Sequence, residues 1–160
     1  MRFLVLLLLS SCSLFFGSDV PKTAKGKVYS IKYSSPFWQQ KKDERSDYVF
    51  QNPSDGRILL SKSFCEEFQD DPLDHLAKKT FRTVSQFKVD KGDFTTFQNR
   101  EAYKLTGSGV VDGVKVNLQL LNTRRSNCYF DFVAIDPLTS EKDSSFEGFL
   151  DAVEFKLFWI

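Results

Sequence analysis

The chain has 160 residues, the length of one ordinary domain rather than two. Hydrophobic residues make up 41% of it, which is enough for a packed core and excludes wholesale disorder. Lys and Arg total 22 against 21 Asp and Glu, whereas a nucleic-acid binder would carry a basic excess. A single His leaves little material for a multi-His metal site or His-dependent catalysis. We therefore expect no metal, no cofactor and no nucleic-acid partner.

The first twelve residues are predicted to be a targeting signal rather than part of a fold. Met1 and Arg2 form a minimal positive region, and residues 3–9 are an apolar run far shorter than the roughly 20 residues that span a bilayer. The following Leu-Ser-Ser-Cys resembles the lipobox of bacterial lipoproteins, in which the Cys receives a diacylglyceryl group and the signal is cut just before it. We predict a signal peptide over residues 1–11 and lipidation at Cys12. The alternative is a plain secretory signal cut a few residues later.

The predicted lipid sets the expected location and the domain boundaries. Residues 12–26 are predicted to be the lipid anchor and a tether, and residues 27–160 a single domain. Acyl chains on Cys12 would hold the protein at a membrane of the cell envelope. Ser13 after the Cys resembles the outer-membrane sorting signal of Gram-negative lipoproteins. The expected location is therefore the periplasmic face of the outer membrane.

The three cysteines predict one disulfide. If Cys12 carries lipid, Cys65 and Cys128 remain as a possible pair. Export implies an oxidising compartment in which a disulfide persists. The alternative is two buried free thiols, which behave as small hydrophobic groups.

The N-terminal half predicts strands and then a helix. Alternating apolar residues predict a strand over residues 28–33, followed by a polar loop over residues 39–45. The Asn-Pro-Ser-Asp-Gly turn predicts a hairpin over residues 47–64. Asp at the N-cap and Pro72 at the first helical position predict a helix that runs to about Gln86.

The C-terminal half predicts an antiparallel meander and a second helix. Turn residues near Asn99 and the Asp112–Gly113 pair divide residues 88–136 into strands. A basic loop over residues 123–127 precedes a strongly apolar last strand. A helix capped by Ser144 or Ser145 follows, and the final residues either continue it or pair as a strand.

The order of elements predicts an α+β fold, an antiparallel β-sheet flanked by helices. The segments that carry a family resemblance are residues 31–38, 72–77, 99–105 and 149–155. They resemble the PsbP/Mog1-like family of α/β/α sandwiches, with Asn99 or Arg100 where that family usually has Gly. The resemblance implies a non-enzymatic accessory or assembly protein, and it carries over no catalytic residues.

Two aromatic and two basic residues are the predicted contact sites. Phe37 and Trp38 adjoin the polar loop, where aromatic side chains often anchor interfaces. Arg124 and Arg125 are candidates for contact with an acidic partner or lipid headgroups. No catalytic or metal-binding role is assigned to any residue, because His75 reads as part of a solvated helix surface.

These features together predict a membrane-anchored periplasmic lipoprotein that serves as a non-catalytic binding or assembly module for an unidentified protein partner. Two alternatives stay open. One is a secreted hydrolase with an unrecognised carboxylate pair, and the other is a carrier of small apolar ligands.

Overall fold

The computed structural model describes residues 24–65, 70–139 and 144–156. Its elements, in chain order, are β1 (Tyr29–Ile31), β2 (Gln39–Lys41), β3 (Tyr48–Gln51), β4 (Ile58–Cys65), α1 (Leu73–Thr80), β5 (Ser85–Phe97), β6 (Arg100–Val111), β7 (Val114–Arg125), β8 (Cys128–Pro137), α2 (Ser145–Asp151) and β9 (Val153–Phe155). The predicted signal peptide and the lipidation site at Cys12 lie outside the described residues. Within the described ranges, no helix has the length and apolar character needed to cross a bilayer.

Seven strands form one antiparallel sheet in the order β2-β3-β4-β8-β7-β6-β5. Strands β5 to β8 follow one another as a meander, as the sequence predicts. Strand β4 joins this meander by pairing with β8 from Ile58 opposite Ile135 to Cys65 opposite Cys128. The predicted disulfide is present between Cys65 and Cys128, at the end of this β4–β8 pairing. Strands β1 and β9 form a separate antiparallel pair.

The sheet buries a separate apolar core on each face. Successive residues of a strand point to opposite faces, so the central strand β8 contributes to both cores. On one face, α2 and the β1–β9 pair cover an aromatic cluster that includes Phe130, Phe132 and Phe149. On the other face, α1 buries Leu73 and Leu76 against β6, β7 and β8. The fold is thus mostly antiparallel sheet with one short helix per face, richer in strand than the predicted sandwich.

Helix α1 is shorter than predicted, ending at Thr80 instead of near Gln86. Val84 and Phe87 pack against the same core as α1, but they do so from the following turn and from β5. The positive φ of Gln86, 54°, places that residue outside any helix. The apolar spacing in the sequence continues beyond the end of α1 because α1 and the segment that contains Val84 and Phe87 pack against the same core. The helix also begins after Pro72, which is its N-cap residue rather than its first helical residue.

Two predicted loops and the predicted C-terminal helix also differ from the structure. The predicted polar loop contains β2, an exposed strand held by its pairing with β3. The predicted basic loop is mostly strand, because Arg124 and Arg125 are the last two residues of β7 and only Ser126 and Asn127 form the turn. At the C-terminus, the second helix ends at Asp151, and Val153, predicted to lie on its apolar face, begins β9. Of the final residues left open between helix and strand, Phe155 ends β9, and residues 157–160 lie outside the described residues.

The edge strand β5 passes very close to glycines of β6. A Cβ atom at Gly107 would lie 2.5 Å from the carbonyl oxygen of Lys88 and 2.7 Å from the Phe87 ring. No side chain fits in that space, so glycine is required for β5 to approach. The pairing of β5 with β6 shifts register twice, between Ser85 and Lys88 and between Val89 and Lys91. Such irregularities interrupt the regular ladder and increase the local twist of the edge strand.

Candidate binding groove

A groove of about 290 Å³ opens beside α1 on the face that this helix covers. Helix α1 has only eight residues and packs on β6 and β7, so it leaves the β4 side of this face partly open. The side chains that line the groove come from α1, β4 and β8: Leu60, Lys62, Phe64, Leu76, Lys79, Thr80, Tyr129, Asp131 and Val133. Apolar side chains dominate this described part of the lining, and a single carboxylate is present in it.

That carboxylate, Asp131, is buried in the middle of β8. Its Oδ2 atom accepts a 2.6 Å hydrogen bond from the Thr80 hydroxyl, and its Oδ1 atom accepts one from the Tyr129 hydroxyl. Burial raises the pKa of Asp131 from 3.8 to about 6, although both hydrogen bonds and the nearby charge of Lys62 act in the opposite direction. Asp131 is therefore close to half ionised near pH 6.

A row of polar side chains crosses the sheet at Asp131. Lys62 of β4 and Asn122 of β7 are its partners across the two ladders. The Nδ2 group of Asn122 donates to the Leu73 carbonyl oxygen at 2.8 Å and to the Tyr129 hydroxyl at 3.2 Å. Burial is the main cause that raises the pKa of Tyr129, so this hydroxyl stays protonated and donates to Asp131. The row ties the first residue of α1 to the floor of the groove.

Two lysines stand at the mouth of the groove. The Nζ atom of Lys62 lies 4.7 Å from the centroid of the Phe64 ring. The Nζ atom of Lys79 forms a 2.6 Å ion pair with Asp71, just before α1. The groove thus has a basic rim, apolar walls and one acidic group at its base.

A second buried carboxylate, Asp47, lies on the opposite face of the sheet. It accepts hydrogen bonds from the Tyr29 hydroxyl at 2.8 Å and from the Ser63 hydroxyl at 2.5 Å. Ser63 in turn accepts a 2.7 Å hydrogen bond from the backbone N–H of Ala24, which is buried. The packed domain therefore includes Ala24, three residues before the predicted boundary. Because the sheet separates Asp47 from Asp131, the two carboxylates do not form a catalytic pair.

None of the four predicted contact residues lines the groove. Phe37 is 67% exposed in the connection from β1 to β2. Trp38 is half-buried, with its ring 5.9 Å from that of Tyr33. Arg124 and Arg125 are consecutive strand residues, so their side chains point to opposite faces of the sheet. Arg124 donates a hydrogen bond to the Asp71 carbonyl oxygen. The Cζ atom of Arg125 lies 4.9 Å from the centroid of the Phe155 ring. Their role in binding stays a prediction.

Sequence reasoning overlooked Asp131, although a signal was present. It is the single charged residue within the apolar run from Cys128 to Ile135, and a charge in a strand buried on both faces requires polar partners. His75, by contrast, is exposed on α1 with its Nε2 atom 3.9 Å from Asp74. Across the described parts of the chain, no group of three or more His, Cys, Asp or Glu side chains is arranged to hold a metal ion.

Comparisons with known proteins identify the fold. No protein-family model matches the chain, and no curated protein matches it in sequence. Among solved structures, cyanobacterial PsbP (CyanoP) from Synechocystis sp. PCC 6803 is similar with a TM-score of 0.57 and 11% identity, over 84% of this chain and 92% of that one. LpqN of Mycobacterium tuberculosis, described as involved in cell envelope biogenesis, is similar with a TM-score of 0.53 and 11% identity, over 88% of each chain.

A third similar structure is larger than this chain. It is a protein of Bacteroides thetaiotaomicron VPI-5482, with a TM-score of 0.58 and 16% identity over 83% of this chain. The match covers 47% of that protein, so the chain spans about half its length. At these identities the likenesses show the fold alone, and that fold is PsbP-like.

Proposed function

We propose that the protein is a non-catalytic binding module of the cell envelope, held at a membrane by acyl chains on Cys12, and that it binds a partner protein through the groove beside α1. The observation that carries this proposal is the composition of the groove. Its described walls are mostly apolar, and each oxygen of the Asp131 carboxylate already accepts a hydrogen bond from Thr80 or Tyr129. Such a surface gains free energy by burying apolar groups.

The hydrolase alternative requires a second carboxylate beside Asp131. A carboxyl group with a pKa near 6 in a cleft can serve as a general acid or base. Glycoside hydrolysis, however, needs two carboxyl groups within about 10 Å on either side of the substrate. Among the described residues, Asp131 is the one carboxylate in the groove lining, and Asp47 lies on the opposite face of the sheet. Turnover of ester, glycoside or peptide substrates that is lost in Asp131→Asn would overturn the non-catalytic proposal.

The size of the groove favours a protein partner over a small apolar ligand. Ligand pockets usually enclose roughly 300–1,000 Å³. The groove, at about 290 Å³, reaches only the lower limit of that range and is open to solvent at its mouth. An open groove of this volume can accept a few apolar side chains of a partner protein, whereas it is too small and too open to enclose a ligand. The envelope location draws support from LpqN, which has the same fold and is described as acting in cell envelope biogenesis.

The anchor is tested by intact mass and membrane fractionation of the exported protein. We expect the wild-type chain to begin at Cys12 with a diacylglyceryl group and to sediment with membranes. Because the acyl chains supply the anchor, Cys12→Ala should move the protein into the soluble fraction. An unmodified mass that begins several residues after Cys12 would contradict the anchor.

The groove is tested by site-specific photocrosslinking on intact membranes. A photoreactive residue at Lys62, at the mouth of the groove, should yield one discrete adduct, whereas the same residue at exposed Lys115, far from the groove, should yield none. Leu60→Trp, which fills the groove from β4, should abolish the adduct. Mass spectrometry of the adduct separates the candidates, since a protein adduct supports the proposal and a lipid adduct supports the carrier alternative. An adduct unaffected by Leu60→Trp would exclude the groove as the binding surface.

A further inference from the structure

We infer a second site, a phosphate-binding pocket at the β7–β8 turn that receives the phosphate group of a lipid headgroup. The pocket has a volume of about 300 Å³, and three arginines line it together with the turn residues Ser126 and Asn127. The arginines are Arg100, Arg124 and Arg125. No carboxylate of the described residues is part of its lining. It lies apart from the groove beside α1, and only Tyr129 lines both.

The strand register brings two of the arginines together. Ala102 of β6 pairs with Thr123 of β7, so Arg100 and Arg125, each two residues nearer the end of the ladder, share one face. Arg124 points to the other face. The three guanidinium groups therefore surround the end of the sheet from both sides.

Two of the three guanidinium groups contact neutral groups. Arg125 stacks on the Phe155 ring at 4.9 Å, and Arg124 donates to the backbone carbonyl oxygen of Asp71. Among the described residues, no carboxylate lies within ion-pair distance of Arg100 or Arg125. Their charges consequently remain available to an anion. The planar fork of donors on arginine matches the oxygens of a phosphate group, which is why arginine is a frequent phosphate ligand.

The course of the chain points to lipid as the source of the phosphate. The backbone N–H of Ala24 donates to Ser63, two residues before Cys65, and the disulfide partner Cys128 lines the pocket. Ala24, the first described residue after Cys12, is therefore held close to the disulfide whose Cys128 half lines the pocket. The eleven intervening residues span at most about 40 Å when fully extended. This step rests on the anchor proposed above, which would keep the pocket within reach of headgroups.

The test measures vesicle binding of the full chain carrying Cys12→Ala, so that acyl chains play no part. We expect phosphatidylglycerol in phosphatidylcholine vesicles to strengthen binding. Arg100→Gln with Arg125→Gln should reduce that binding about twenty-fivefold, about fivefold for each arginine. Lys88→Gln with Lys115→Gln removes the same charge at the opposite end of the sheet and should change binding less than about twofold.

Three results would overturn this inference. An equal loss in the lysine and arginine variants would mean that net charge alone attracts the protein to the vesicles. Binding to neutral and anionic vesicles with equal strength would remove the headgroup phosphate as the ligand. Arginine-dependent binding of soluble glycerol phosphate, with none to anionic vesicles, would assign the pocket to a free phosphate compound. Failure of lipidation at Cys12 would leave all these measurements valid, so the two proposals fail separately.

Discussion

Replacing both Cys65 and Cys128 by Ala is expected to lower the free energy of unfolding by about 4 kcal/mol. The two residues are separated by 63 positions, so the bridge removes much of the freedom of the unfolded chain. The bridge also links β4 to β8, the two strands through which the β3–β4 hairpin pairs with the meander. A loss of this size is a large part of the 5–15 kcal/mol that stabilises a typical domain. Denaturant titration followed by tryptophan fluorescence measures it.

The matched control for this experiment is Cys12→Ala alone. It removes the third cysteine and leaves the bridge intact, so that unfolding is compared without acyl chains and without disulfide exchange at position 12. We expect the control to unfold at the same denaturant concentration as the wild-type domain. A loss below about 1 kcal/mol in the double variant would show that the β4–β8 ladder is maintained without the bridge.

Asp131→Asn is expected to stabilise the protein at pH 7 by about 3 kcal/mol. This is the free energy that corresponds to the rise in the pKa of Asp131 from 3.8 to about 6. The carboxyl group is easier to bury when protonated. Its contribution to stability is therefore fully present below pH 3.8 and is lost as the pH rises through about 6. An amide keeps the geometry, because its Nδ2 group donates to Thr80 Oγ1 while that hydroxyl donates to the Leu76 carbonyl oxygen.

The pH dependence distinguishes this effect from a general change in packing. The gain in stability of Asp131→Asn over wild type should be near zero at pH 3.5 and should grow between pH 4 and pH 7, as chemical denaturation at each pH would show. Asp112→Asn, at an exposed turn, should leave stability within about 0.5 kcal/mol of wild type at every pH. An Asp131→Asn variant less stable than wild type at pH 7 would mean that the hydrogen bonds and Lys62 outweigh burial.

The parts of the fold that the sequence predicted are those fixed by local chemistry. The Asp112–Gly113 turn adopts positive φ at both residues, as a two-residue hairpin turn requires. The hairpin around residues 52–56 and the meander follow from similar turns. Strand β2 was missed because its three exposed residues have no apolar pattern and are held by β3 alone. The end of α1 was misplaced because its apolar spacing continues in β5.

The candidate sites were harder to predict because they depend on which face a residue occupies. Arg124 and Arg125 are adjacent in sequence, yet strand geometry sends them to opposite faces. The β6–β7 register places Arg100 on the same face as Arg125, where both line the pocket at the β7–β8 turn. A single sequence does not reveal that register. Asp131 was detectable as a lone charge in an apolar strand, but its partner Thr80 lies on α1, 51 positions away.

The irregular outer strand β5 also bears on how the protein behaves at high concentration. An unpaired, flat strand at a sheet border is a template for pairing with another molecule, the first step toward fibrous aggregates. Strand β5 has 13 residues, long enough for that hazard, but its two register shifts break the flat hydrogen-bonding surface. Lys88, Asp90, Lys91 and Asp93 place charges along the same stretch. At high concentration, these features disfavour the edge-to-edge stacking of copies into filaments.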